Sequence, residues 1–346
     1  MKQYLIDEFI EDYQHGQLTR RQTLKLLTGL VGAASAAALV AACAPVVQPA
    51  PTTAPVPTAV PATNVPTVVP TTIPTTAATV APTPTTAAAD PTVATQATAT
   101  VTAPQSNATV TAGDPAIQAS AVEFPGSAGA KTMGYLARPR ADGTFAAILV
   151  CHENRGLTEH IRDVARRFAK AGYVALAVDL LSRQGGTDKV DASGVPGVLG
   201  NTPPTQMVGD FAAGLAYLKQ QPFVAQGQYG MIGFCFGGGI TWRAATQIAE
   251  LRAAAPYYGP NPPLEDVPKI QAAVLAHYGG NDSRINAGIP AVEQAMKQNN
   301  KIFEYVIHQG TNHAFNNDTG ANYNAQAAQA AWAETLAWFD KYVRGA

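Results

Sequence analysis

The sequence predicts an α/β domain over residues 113–346, with a mostly parallel central sheet of about eight strands and helices on both faces. The first observation is a series of short apolar runs rich in Val, Ile, Ala and Tyr near 118–124, 132–138, 146–152, 173–178, 228–234, 252–258, 271–278 and 302–307. The second is the helical patterning between them, near 158–171, 205–220, 238–249 and 287–299, with a last helix near 322–343. From about 146 onward strand and helix alternate, as in parallel strands joined by crossover helices. The third is the stretch 229–239, Tyr-Gly-Met-Ile-Gly-Phe-Cys-Phe-Gly-Gly-Gly, where an apolar strand runs straight into a helix-compatible segment. The first two strands are separated by a short turn and predict an antiparallel edge. Residues 183–204, rich in Gly, Pro, Ser and Thr, read as a loop.

Composition removes the rest of the chain from this domain. Residues 44–112 are almost entirely Ala, Pro, Thr and Val, with the single charge Asp90 and no aromatic residue. Such a segment lacks the apolar surface needed to offset its conformational entropy, and predicts a disordered, partly polyproline-II tether. The formal net charge of −1 comes without a basic stripe, so nucleic acid is not an expected partner. The three cysteines, Cys43, Cys151 and Cys235, imply no disulfide framework. No dinucleotide fingerprint occurs at the Gly-rich turn, and neither a cofactor nor a metal is expected.

Residues 1–43 read as an address. Thr-Arg-Arg-Gln-Thr-Leu-Lys at 19–25 precedes an Ala-rich apolar run from Leu26 to Ala42. Paired arginines before a mildly hydrophobic run resemble a twin-arginine export signal, although Thr23 stands where a phenylalanine is usual. Val40-Ala41-Ala42-Cys43 resembles a lipobox, with Cys43 as the lipidated residue. A simply cleaved signal and an uncleaved anchor are the alternatives. Each places the domain outside the cytoplasmic membrane, and residues 1–112 are expected to be dispensable for folding and chemistry.

The Gly-rich turn carries the chemistry. In Gly233-Phe234-Cys235-Phe236-Gly237 the cysteine sits between glycines two positions away on either side, the spacing of a nucleophile on a sharp strand-to-helix turn. There the backbone N–H of Phe236, at the helix start, points toward a developing oxyanion. A cysteine nucleophile needs a base and the base an orienting acid. Asp282 follows an apolar strand in Gly-Gly-Asn-Asp, and His313 lies in the loop after the next strand. Asp282 also fits a turn residue or helix N-cap, and His308 and His277 compete with His313 from within strand patterns. A further strand ends in Cys151-His152-Glu153-Asn154-Arg155, which puts a carboxylate where such sheets bind ligands. The Asn154 N–H is the candidate second oxyanion donor. Arg155 either pairs with Glu153 or reaches substrate. Cys151 reads as a packing thiol and Asp179 as structural.

Together, His-Glu-Asn-Arg-Gly-Leu at 152–157, Gly-Tyr-Val-Ala-Leu-Ala-Val-Asp-Leu at 172–180, Gly-Phe-Cys-Phe-Gly-Gly at 233–238, Tyr-Tyr-Gly at 257–259, Gly-Gly-Asn-Asp at 279–282 and Asn-His-Ala-Phe at 312–315 resemble the dienelactone hydrolase (carboxymethylenebutenolidase) family of α/β-hydrolases. The resemblance implies the α/β-hydrolase fold, a Cys235–Asp282–His313 triad, and Glu153 as the carboxylate that takes the thiol proton when substrate binds. It implies attack on a small ester or lactone through an acyl-enzyme, with Tyr258 and Asn317 as further substrate-binding candidates. The family's two carboxylate-binding arginines have no counterpart: no Arg occurs between Arg183 and Arg243, and Asn317 stands at the second position. Neutral esters are therefore expected in preference to dienelactone carboxylates. The expected whole is a hydrolase tethered to a membrane by a lipid on Cys43. A non-catalytic binding protein on the same scaffold, or a peptidase or acyl transferase of the same fold, is the alternative.

Overall fold

The computed structural model describes residues 1–43 and 109–345, and the expected tether lies almost wholly outside them. In chain order the main elements are α1 (Lys2–Gln14), α2 (Arg20–Val31), α3 (Ala33–Ala42), β1 (Ile117–Pro125), β2 (Lys131–Pro139), β3 (Phe145–Cys151), α4 (Glu159–Lys170), β4 (Val174–Asp179), α5 (Val195–Asn201) and α6 (Pro204–Lys219). They continue with β5 (Val224–Phe234), α7 (Phe236–Gln247), β6 (Ala253–Tyr257), β7 (Ala273–Gly279), α8 (Ser283–Asn286), α9 (Ile289–Gln298), β8 (Phe303–His308) and α10 (Ala325–Phe339).

The strands form one eight-stranded sheet in the order β1-β2-β4-β3-β5-β6-β7-β8, with helices on both faces. The β1–β2 and β2–β4 pairs are antiparallel and all other pairs parallel. β4, β6 and β7 are buried along their whole length, β3 from its second residue and β5 over its last six, as their apolar runs require. All eight strands and the antiparallel edge lie where the sequence predicts. The segment 183–204 differs, since it contains the short helix α5. Pro196 near its start supplies helical φ without wasting a hydrogen-bonding N–H.

Two stretches join the domain that the sequence reading left out. Val110 is buried, its N–H bonding Asp163 Oδ1 at 2.6 Å, so the fold begins before residue 113. Residues 1–43, read as a separate address, form three helices packed in the same compact unit as the domain. Thr19 caps α2 through a capping box with Gln22. Leu27 and Leu30 of α2 are buried, and Gly29 meets Gly197 of α5 so closely that its Cβ would stand 3.3 Å from the Gly197 Cα. None of the described helices is long and apolar enough to cross a membrane.

Candidate active site

The site stands at the carboxyl ends of β3, β5, β7 and β8, where a parallel sheet exposes its loops. Cys235 occupies the turn between β5 and α7 with φ 56° and ψ −120°, a conformation strained for any residue with a Cβ. The neighbouring glycines make room for it. A Cβ on Gly237 would stand 2.4 Å from the His152 carbonyl oxygen, and one on Gly233 2.3 Å from that of Gly237. Gly237→Ala is therefore expected to destabilise the fold by roughly 1–3 kcal/mol, an overpacking cost, readable as a lower denaturation midpoint. Phe236 N–H belongs to the first turn of α7, whose donors have no acceptor within the helix.

Asp282 and His313 come together behind the cysteine. His313 Nδ1 donates to Asp282 Oδ2 at 2.5 Å. Asp282 also caps α8, accepting the Ile285 N–H at 3.4 Å, so one carboxylate holds both the helix and the imidazole. Burial opposes a charge on His313, but Asp282 and the Cys235 thiol outweigh it and hold its pKa well above the usual value. The Cys235 sulfur and a His313 nitrogen lie within 4.8 Å of each other.

Helix α1 covers this cluster. Tyr4 Oη lies 3.3 Å from Cys235 Sγ and 3.4 Å from His313 Nε2. The thiol donates to Glu8, whose oxygens lie 3.4 and 3.7 Å from Sγ. Glu8 also accepts Asn154 Nδ2 at 2.9 Å. Arg284, on α8, donates to Glu11 at 2.7 Å and lies 4.8 Å from the centre of the Tyr4 ring. Burial and then the Glu8 carboxylate push the Cys235 thiol up to about 11, with His313 pulling the other way. The resting sulfur is a neutral thiol. At the rim, residues including Glu11, Asp12, Asp282 and Arg284 line a cavity of about 260 Å³. Burial and the Glu8 charge raise Asp12 to about 6 there.

The remaining candidates divide. Glu153 is buried beside the site, but Oε2 accepts Asn317 Nδ2 at 2.5 Å and Oε1 has no partner among the described residues. The carboxylate on the thiol is Glu8. Tyr258 is buried with its ring edge-on to His313, centres 5.1 Å apart. Of the two alternatives for Arg155, the pairing with Glu153 is not seen: Arg155 is exposed, and among the described residues Asn317 is the partner of Glu153. Asp179 is structural, accepting Thr187 N–H and Leu181 N–H. Arg183 is tied to Asp210 at 2.5 Å. Sequence reasoning missed Tyr4, Glu8 and Arg284. The first two share one face of α1 at helical spacing, a signal that lay inside the stretch read as an address.

His277 and His308 sit apart from this cluster, with Nδ1 and Nε2 3.1 Å from each other. Glu334 Oε2 lies 3.6 Å from the first and 3.9 Å from the second. Burial lowers His308 to about 4 and raises Glu334 to about 7. A carboxyl raised on folding gives stability that is present below its unfolded pKa and lost as pH rises through 7. Glu334→Gln should therefore gain stability relative to the parent between pH 5 and pH 8, measured by urea unfolding at both.

The eight-stranded sheet agrees with what comparison with known proteins shows. Residues 132–343 match the model of the dienelactone hydrolase family. The chain belongs to that family. A protein named "Putative carboxymethylenebutenolidase" from Escherichia coli strain K12 is 32% identical over 245 residues, covering 66% of this chain and 89% of that one. Another of the same name, from Methylorubrum extorquens, is 34% identical over 221 residues, 60% of this chain and 76% of its own. Among solved structures, a "Putative Dienelactone Hydrolase" from Klebsiella pneumoniae subsp. pneumoniae is 31% identical with a TM-score of 0.61, covering 66% of this chain and all of that one. The dienelactone hydrolase family sets the reaction class of this chain, hydrolysis of carboxylic esters, and the match leaves α1 to α3 outside it.

Proposed function

We propose that this chain hydrolyses small esters or lactones through Cys235, His313 and Asp282. The observation that carries the reading is the Asp282–His313 bond at 2.5 Å, held beside a cysteine whose backbone is bent into a strand-to-helix turn. His313 rests protonated, so Glu153 takes the Cys235 proton as substrate binds, and the thiolate, facing the His313 imidazolium, adds to the substrate carbonyl. The N–H groups of Phe236 and Asn154 hold the oxyanion. The carbon–oxygen bond then breaks, and the His313 imidazolium gives its proton to the leaving alkoxide. Water attacks the thioester with the now neutral His313 as base, the acid and the Cys235 thiolate separate, and Glu153 returns its proton to the sulfur. Glu153 and Asn317 shape the acyl side of the pocket. Incubating the Tyr4→Ala, Glu8→Ala protein, in which the side chains of α1 no longer cover the thiol, with p-nitrophenyl acetate tests this. The expected result is release of p-nitrophenol and an acetyl group trapped on Cys235 in acid-quenched digests. Release without label on Cys235 would overturn the assignment.

Neutral esters are the expected substrates, because Arg183 is occupied by Asp210 and an anion would meet Glu153. The check is the ratio of kcat/KM for a methyl ester over its free acid, expected above one. A ratio strongly favouring the acid would make Arg284 the clamp.

The N-terminal segment supports a second part of the proposal, export and lipidation at Cys43. Arg20 and Arg21 are exposed at the start of α2, with Thr19 and Gln22 exposed on either side of them. Mass analysis of the mature N-terminus checks it, with a diacylglyceryl group on Cys43 as the expected result.

A further inference from the structure

We propose that α1 is a resident stand-in for substrate, seated in the cleft over Cys235, and that the full chain is latent until this helix is displaced. The inference rests on Cys235 as the nucleophile. An attacking atom and its target carbon meet at about 3–3.5 Å. Around Cys235 Sγ those positions are held by Tyr4 Oη at 3.3 Å and Glu8 at 3.4 Å. Tyr4 Oη also reaches His313 Nε2 at 3.4 Å, so it occupies the space through which a proton must pass to the leaving group. Glu8 takes the Asn154 side-chain amide, on the loop proposed to hold the oxyanion. A substrate cannot reach sulfur, base or oxyanion donor while α1 is seated.

The helix fits the cleft as a ligand would. Tyr4, Glu8 and Glu11 lie at i, i+4 and i+7, one face of a helix. Leu5 and Phe9, on an adjoining stripe, are buried. The outer catch is polar and half-exposed: Arg284 with Glu11, their side chains 20% and 27% exposed, and Arg284 over the Tyr4 ring. A pair of that kind is weak enough to open. Lys2 adds a bond to Asn201 at 3.0 Å, and α2 rests on α5.

Access and reactivity change together in this arrangement. Burial and the Glu8 charge are the two largest reasons the thiol stays protonated. Withdrawal of α1 removes the Glu8 charge and the cover that α1 lays over the sulfur, and leaves His313, which favours the thiolate. A cut before Cys43 would carry off α1, α2 and α3 as one piece, since all three precede it.

The test uses the full chain. Cys235 carboxamidomethylation by iodoacetamide is followed by peptide mass spectrometry, with buried Cys151 as the internal reference. p-Nitrophenyl acetate hydrolysis is followed in parallel. Tyr4→Ala combined with Glu8→Ala is expected to raise the alkylation rate of Cys235 at least tenfold over the parent and to raise hydrolysis with it. Arg284→Gln, which releases the catch and leaves α1 itself unaltered, gives a second route should the double variant fold poorly. It is expected to shift both readouts in the same direction. A synthetic peptide of residues 2–17 should suppress both rates in the opened variant, and the same peptide with Ala at positions 4 and 8 should not. A parent chain that alkylates and hydrolyses as fast as both variants would overturn the proposal, as would a peptide with no effect. Faster alkylation with no hydrolysis of any ester would leave the latch standing and sink the hydrolase assignment instead.

Discussion

Cys235→Ala is expected to lower ester hydrolysis by about 10⁴-fold or more, because it removes the atom proposed to form the covalent intermediate. The measurement is the initial rate on p-nitrophenyl acetate, in the parent background and in the Tyr4→Ala, Glu8→Ala background. Cys151→Ala should keep most of the rate. Cys151 is also buried, yet it lies at the end of β3 in ordinary strand geometry, with its thiol directed to the His152 carbonyl. Only Cys235 stands on a turn that presents a side chain above the sheet with a helix N-terminus behind it. Equal losses in two folded variants would remove Cys235 from its role.

Asp282→Asn and His313→Ala are expected to lower kcat by about 10²–10⁴-fold with little change in KM, since proton transfer and imidazole orientation act in the transition state. Asp282 bonds Nδ1 and so leaves Nε2 as the nitrogen facing the sulfur side. The amide introduced by Asp282→Asn could present its hydrogen to Nδ1 and impose the wrong tautomer. His308→Ala should change kcat by no more than a few-fold, because His308 bonds His277 and not the triad. A folded His308→Ala protein weaker than His313→Ala would reverse the assignment. Asp282→Asn should in addition loosen α8, because the same carboxylate caps it.

Much of this was legible in the sequence for physical reasons. Strands buried on both faces must be apolar where they are buried, so β3, β4, β6, β7 and the second half of β5 announced themselves. Gly233 and Gly237 are forced by backbone crowding, which is why the turn around Cys235 could be read from spacing. Asp282 and His313 were legible because loops after strands carry chemistry. Asp282 caps α8 and also bonds His313 Nδ1, so neither reading of it excludes the other. What stayed hidden depends on long-range contact. Nothing local to Glu153 tells that Asn317, 164 residues away, occupies it. Arg155 sits beside Glu153 in sequence but in the turn after β3, where the chain leaves the sheet and takes it outward. The role of α1 was least visible. A short helix with paired arginines beyond it reads as an address, and only tertiary packing reveals that its polar face meets Cys235.

The placement of α1 also orders events in time. Tyr4 and His313 are 309 residues apart, and Glu11 and Arg284 are 273 apart. A ribosome delivers α1 first and its partners last, at roughly 5–20 residues per second, so the helix waits for much of synthesis without its binding surface. The β3–β5–β6–β7 core must form before Arg284 and His313 are positioned. The Tyr4–His313 and Glu11–Arg284 contacts can therefore close only after the C-terminal third has been made, so a seated α1 marks a finished chain.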